Sequence, residues 1–134
     1  PFMDEIERIV EGLAAAGTDV VLVTLPGLFT ASETPTPGAL AIGHLPRFTD
    51  NPSVLAALTG RYNAALRDLA RRRGLDMIDL EQWSVDALRP RDAYFLDSVH
   101  LTARGLELIG AFMAERLASR VEGVQKRKSS TGNR

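Results

Sequence analysis

Apolar positions along this chain follow two alternating rhythms. Met3, Ile6, Ile9, Val10 and Leu13 recur at the three- and four-residue steps of one helix face. Asp4 and Glu5 fall in the first turn, where negative charge suits the helix dipole, and Gly17 supplies a stop. The pattern predicts a helix over residues 3–16. The rhythm then changes to a near-continuous, β-branched run, Asp19 to Leu25, closed by Pro26 and Gly27. That is the signature of a strand buried on both faces, as in a parallel sheet covered by helices. Helical spacing returns with Leu55, Leu58, Tyr62, Leu66 and Leu69, with Ser53 as the expected N-cap, Arg71, Arg72 and Arg73 in the last turn and Gly74 at the end. Leu75 to Leu80 is short and apolar enough for a second strand. A final stripe, Leu106, Ile109, Met113, Leu117 and Val121, predicts a third helix capped by Thr102, with Leu101 and Leu106 as a hydrophobic staple across the cap.

A strand, a helical crossover and a second strand make a βαβ unit, which implies a parallel pair and a right-handed connection. The stretch between Gly27 and Pro52 shows no period and holds Pro35, Pro37, Pro46, Gly38 and Gly43. At about 25 residues it is far longer than most connections, and loops of that length in compact domains tend to be lids or binding loops. It also leaves the C-terminal end of a strand, the edge where open parallel sheets place their ligands. Its apolar members, Leu28, Phe29, Leu40, Ile42, Leu45 and Phe48, either wall a pocket for an acyl group or a sugar or tie the loop down. Trp83, after the second strand, has the same two readings, pocket wall or packing. Arg89–Asp92 reads as a turn in which Pro90 restricts the residue before it.

Composition bounds the rest. With 134 residues, 45% hydrophobic and 25% charged, the chain supports one core. A formal net charge of −1 supplies no bulk field for nucleic acid or an anionic membrane surface, so neither is expected as a partner. There is no cysteine, which excludes disulfides, thiolate metal sites and a cysteine nucleophile, and no apolar run approaches the ~20 residues of a membrane span. Residues 123–134 carry basic and small polar residues without a core pattern and read as a disordered basic tail, leaving 1–122 as the folded part. The opening Pro1-Phe2-Met3-Asp4 enters a helical pattern directly, as in a chain cut from something longer; a start at Met3 is the alternative.

The candidate chemistry lies in Tyr94-Phe95-Leu96-Asp97-Ser98-Val99-His100-Leu101-Thr102-Ala103-Arg104-Gly105. Histidine, with an unperturbed pKa of roughly 6.5, accepts and releases protons near neutrality, and an acceptor on its other ring nitrogen fixes its tautomer and orientation. Asp97, three residues before His100, is such an acceptor. A metal site combining His44, Asp50, Asp97 and His100 lacks the His-x-x-x-His spacing that sets two imidazoles on one helix face, so no metal and no cofactor is expected. Arg71–Arg73 reads as a solvated helix end rather than a phosphate site.

The run Asp-Ser-Val-His-Leu-Thr-x-x-Gly, after an aromatic pair and before a helix, resembles the last Asp-x-x-His block of the SGNH, or GDSL-type, esterase and lipase superfamily. The resemblance implies a three-layer α/β/α fold of the flavodoxin-like kind with a parallel sheet, and hydrolysis of esters by a serine nucleophile. It makes His100 the general base and Asp97 the acid that orients it, while Ser98 stands at a position the family leaves unassigned. The substrate it implies is a small ester: an O-acetyl sugar, a short-chain ester or a lysophospholipid.

One departure is large. The family's nucleophile lies in a Gly-Asp-Ser block near the start of its domain, and its oxyanion-hole Gly and Asn lie in two further blocks. None of these is present here, and Ser32, Ser53, Ser84, Ser98, Ser119, Ser129 and Ser130 include none in a Gly-x-Ser-x-Gly elbow. The chain therefore reads as the C-terminal portion of such a domain, with about two strands and three helices, missing its N-terminal part and inactive alone. Two strands leave open edges that invite further pairing, which points the same way. The alternatives are a non-catalytic α/β binding module, in which Asp97 and His100 are structural, and a degenerate SGNH-like protein.

Overall fold

The computed structural model describes residues 2–131, with side chains described as far as Val121. Helix α1 spans Phe2–Ala15, strand β1 Val21–Val23, helix α2 Pro37–Ile42, helix α3 Pro52–Arg73 and strand β2 Asp76–Ile78. Helix α4 spans Leu80–Ala87, a 3₁₀ turn Arg91–Ala93 and helix α5 Ala103–Thr131. The strands pair in parallel, with Val21 opposite Asp76, Leu22 opposite Met77 and Val23 opposite Ile78. The period of two then divides the core. Leu22 packs with Val10, Leu69 and Ala70 under α1 and α3, with Met77 against the same cluster, while Ile78 joins Phe29, Leu88, Phe95 and Ile109 on the opposite face, with Val21 and Val23 against it. Helices on both sides of a parallel pair make the three-layer α/β architecture expected from the strand pattern.

The helices bury different faces from those their leucines suggest. On α5 the core side is Gly105, Ile109 and, partly, Leu108, Phe112 and Met113, while Leu106, Leu117 and Val121 stay exposed. Gly105 supplies the reason. A Cβ there would stand 2.6 Å from the Tyr94 carbonyl oxygen, so this bare position lets the helix close against the preceding loop and turns Leu106 outward. On α3 the buried line is Ala56, Asn63, Leu69 and Ala70, with Leu58 and Tyr62 exposed. Asn51, not Ser53, caps that helix, accepting a hydrogen bond from the Ser53 amide, and Gly74 closes it at φ 62°.

Two elements were not visible in the pattern. The long connection contains α2, whose Thr36 cap accepts from the Ala39 amide, and Asp79 begins α4 directly after β2 by capping Gln82. The connection is tied down: Leu28 and Phe29 enter the core, Ile42 and Leu45 pack against it, and Leu40 and Phe48 remain exposed. Trp83 stacks on Phe112 with ring centroids 4.6 Å apart, which fastens α4 to α5. Helix α5 runs on into the stretch expected as a tail; the side chains after Val121, and residues 132–134 altogether, lie outside the described part.

Candidate active site

Both strands release the chain at one edge, and three polar anchors there fix the loops that leave it. Thr24, fully buried, donates to Asp79 Oδ1 at 2.8 Å and accepts from the Glu81 amide at 3.0 Å. Arg67, from α3, grips both oxygens of Asp79 at 2.7 and 2.8 Å and reaches Glu81 at 2.6 Å. This fork joins the crossover helix to the ends of β1 and β2. The Arg67 guanidinium, then the Thr24 hydroxyl and the Gln82 amide, pull the Asp79 carboxyl down to about 2 against the opposing effect of burial. Asn63, buried in the middle of α3, pairs with Leu25, two residues beyond β1, as a backbone would. Its amide donates to the Leu25 carbonyl at 2.8 Å and its carbonyl accepts the Leu25 N–H at 3.0 Å. Arg91, also buried, donates to the Gly27 carbonyl, Glu33 and Ser84. Burial pulls its guanidinium down while Glu33 opposes the shift.

The loop before α5 rests on this frame. The Phe95–Leu101 antiparallel bridge, with Leu96 N–H donating to the His100 carbonyl at 2.8 Å and Thr102 N–H to Tyr94 at 2.9 Å, closes residues 96–100 into a tight excursion. Thr102 caps α5 as its sequence position implies, its hydroxyl accepting from the Gly105 amide at 3.2 Å. Within the excursion Asp97 folds over the residues that follow it. Oδ1 accepts the backbone N–H groups of Val99 at 2.9 Å and His100 at 2.8 Å, and Oδ2 lies 2.7 Å from His100 Nδ1. Those two amides and then the ring hold the Asp97 carboxyl well below the usual carboxylate range. Bonds within four residues thus join the two side chains singled out from spacing.

The pair is asymmetric in exposure, with 74% of the His100 side chain and 23% of the Asp97 side chain accessible. With Nδ1 facing a carboxylate, Nε2 is the nitrogen left to exchange protons with a reactant. A groove of about 410 Å³ opens alongside, walled by Leu25, Tyr62, Leu66, Val99 and Leu101 with Asn63 at its back. Among the described residues no serine hydroxyl is bonded to the ring; Ser84 turns to Glu81, Ser98 to His44 and Ser119 to Glu115. His44 meets the site through its backbone carbonyl, and among the described residues no group of three or more His, Asp or Glu is placed to hold a metal. Likewise no helix there is long and apolar enough to cross a membrane.

Thr24, Asn63, Arg67 and Ser98 are the residues that spacing did not single out. Their partners lie 12 to 57 positions away, so no local period marks them. The one available sign was a polar residue on a helix face otherwise filled with apolar and small side chains, as Asn63 is.

No curated protein and no solved structure matches the chain. Residues 1–108, which take in α1, both strands, the crossover helix and the Asp97–His100 loop, match the family described as GDSL-like Lipase/Acylhydrolase. The parallel α/β core and this match agree: the chain belongs to the GDSL-like lipase and acylhydrolase family, whose chemistry is ester hydrolysis.

Proposed function

We propose that this chain supplies the base and the orienting acid of a serine esterase site, His100 and Asp97, and that the nucleophile and oxyanion donors come from polypeptide outside this sequence. The observation that carries the reading is the 2.7 Å contact between Asp97 Oδ2 and His100 Nδ1 on a ring that otherwise stays largely exposed. In the reaction, Nε2 of His100 takes the proton of a serine hydroxyl as its oxygen attacks the ester carbonyl. The same proton passes to the leaving alkoxide when the tetrahedral intermediate collapses, and water repeats the two steps on the acyl-enzyme. Asp97 holds the ring in the productive tautomer and stabilises its charged form. The apolar groove between Tyr62, Val99 and Leu101 suits the acyl part of a small ester. Open edges on both strands agree with a partial domain whose sheet continues in other polypeptide.

A single oxyanion donor is worth roughly 2.7–4 kcal/mol, so base and acid alone give little rate. Purified alone, the chain is expected to leave p-nitrophenyl acetate at the buffer rate. Joined to the polypeptide that supplies the nucleophile and oxyanion donors, it is expected to turn over, and His100→Ala in that longer protein to lower kcat by about 10⁴-fold or more with its unfolding midpoint unchanged. Turnover by the 134 residues alone that disappears in His100→Ala would overturn the divided-site reading. Full activity of the longer protein carrying His100→Ala would overturn the assignment of the base.

A further inference from the structure

Ser98 stands between the acid and the base, yet points the other way. Its side chain is buried, and its hydroxyl donates to the His44 carbonyl at 2.5 Å, while its own carbonyl accepts the Leu28 N–H at 3.1 Å. One residue therefore ties together two points of the long connection after β1: Leu28 near its start and His44 just after α2. With Ser98 fixed inward, the excursion can only display Asp97, Val99 and His100 outward. The carboxylate that caps Val99 and His100 is thereby set in register with the ring.

We infer that Ser98 is a positioning residue for the His100 base: its buried hydroxyl locks the loop so that Asp97 meets Nδ1 and leaves Nε2 free. The inference rests on His100 being the base. Ser98 touches neither reactant nor ring and acts through the loop. A merely structural serine would lower stability and leave the ring's tautomer alone, so the tautomer is the quantity to read. Nitrogen-15 imidazole spectra of the 134-residue chain, taken at a pH where both histidines are neutral and assigned with His44→Gln, report which ring nitrogen carries the proton.

In the wild type His100 is expected to carry it on Nδ1. In Ser98→Ala the ratio of Nδ1–H to Nε2–H falls by about two- to ten-fold, the range set by one net hydrogen bond. The His44 ring does not change, and Ser98→Thr, which keeps the hydroxyl, restores the ratio. Ser98→Cys keeps the volume with a weaker donor and serves the same purpose if the alanine variant does not fold. A folded Ser98→Ala or Ser98→Cys with the wild-type ratio overturns the inference and leaves the base assignment standing. A wild-type His100 without the Nδ1–H pattern sinks the base assignment itself.

Discussion

Two carboxylates stand at the same edge of the sheet, and both are held below the usual carboxylate range, but they serve different ends. Asp79 is gripped on both oxygens by Arg67, a permanent cation, and its remaining capacity goes to Thr24 and Gln82. Nothing in that set can change protonation near neutrality, so it fixes α3, β1, β2 and α4 together and does no more. Asp97 binds two amides and an imidazole, the kind of side chain used to exchange protons near neutrality. A depressed carboxylate therefore does not mark chemistry here. What separates the anchor from the proposed acid–base pair is whether the partner is a fixed cation or an imidazole with a second face in solvent.

The sharpest way to test that contrast is to remove each carboxylate in turn. Asp97→Asn in the longer, active protein is expected to lower kcat by about 10⁴-fold through the wrong ring tautomer, with little change in KM or in unfolding midpoint. The comparison breaks if Asp97→Asn is instead chiefly unstable. Asp79→Ala should do the reverse. It removes the partner of Arg67, the acceptor of buried Thr24 and the N-cap of α4, and is expected to cost about 2–4 kcal/mol in urea unfolding with an unchanged slope. Proteins that remain folded should retain the His100 tautomer.

The smallest effect is in acid. A depressed carboxylate adds stability above its ordinary pKa of ~3.9 and loses it as pH falls through its folded value. For Asp79 that window runs from about pH 4 down to about 2, and with its side chain one-third exposed the loss is on the order of 1–2 kcal/mol. Stability measured against pH should show this limb in the wild type and lack it in Asp79→Asn. Asp97→Asn should alter it less, since Asp97 bonds only within its own four-residue loop, where such contacts form in part in the unfolded chain too. Equal flattening by both substitutions would erase the distinction between the two sites.

What could be read without coordinates was whatever is local. The β-branched run to Leu25 fixed a buried strand, and the Asp-x-x-His spacing fixed a pair that four consecutive residues can build from their own backbone. Thr102, in the same block, specifies where the next helix starts. Periodicity also located α1, α3 and α5, because an amphipathic stripe needs no knowledge of what covers it. It did not say which leucines would be covered. Leu106, Leu117 and Val121 continue a good stripe and stay in water because Gly105 sets the helix's rotation against Tyr94. Helix α2 was hidden by Pro37 and Gly38, which usually signal a loop, and α4 by the apolar Leu80 that also suits the end of a strand.

The sequence by itself determined the two strands, the three main helices and the Asp97–His100 contact, since each follows from neighbours a few residues apart. Tertiary structure decided which polar groups are buried and what they hold. Asn63 clamps Leu25, Thr24 joins Asp79, and Ser98 ties His44 to Leu28 across separations that no period encodes. A buried polar group must find its partner wherever the fold brings one, and so its meaning belongs to the fold.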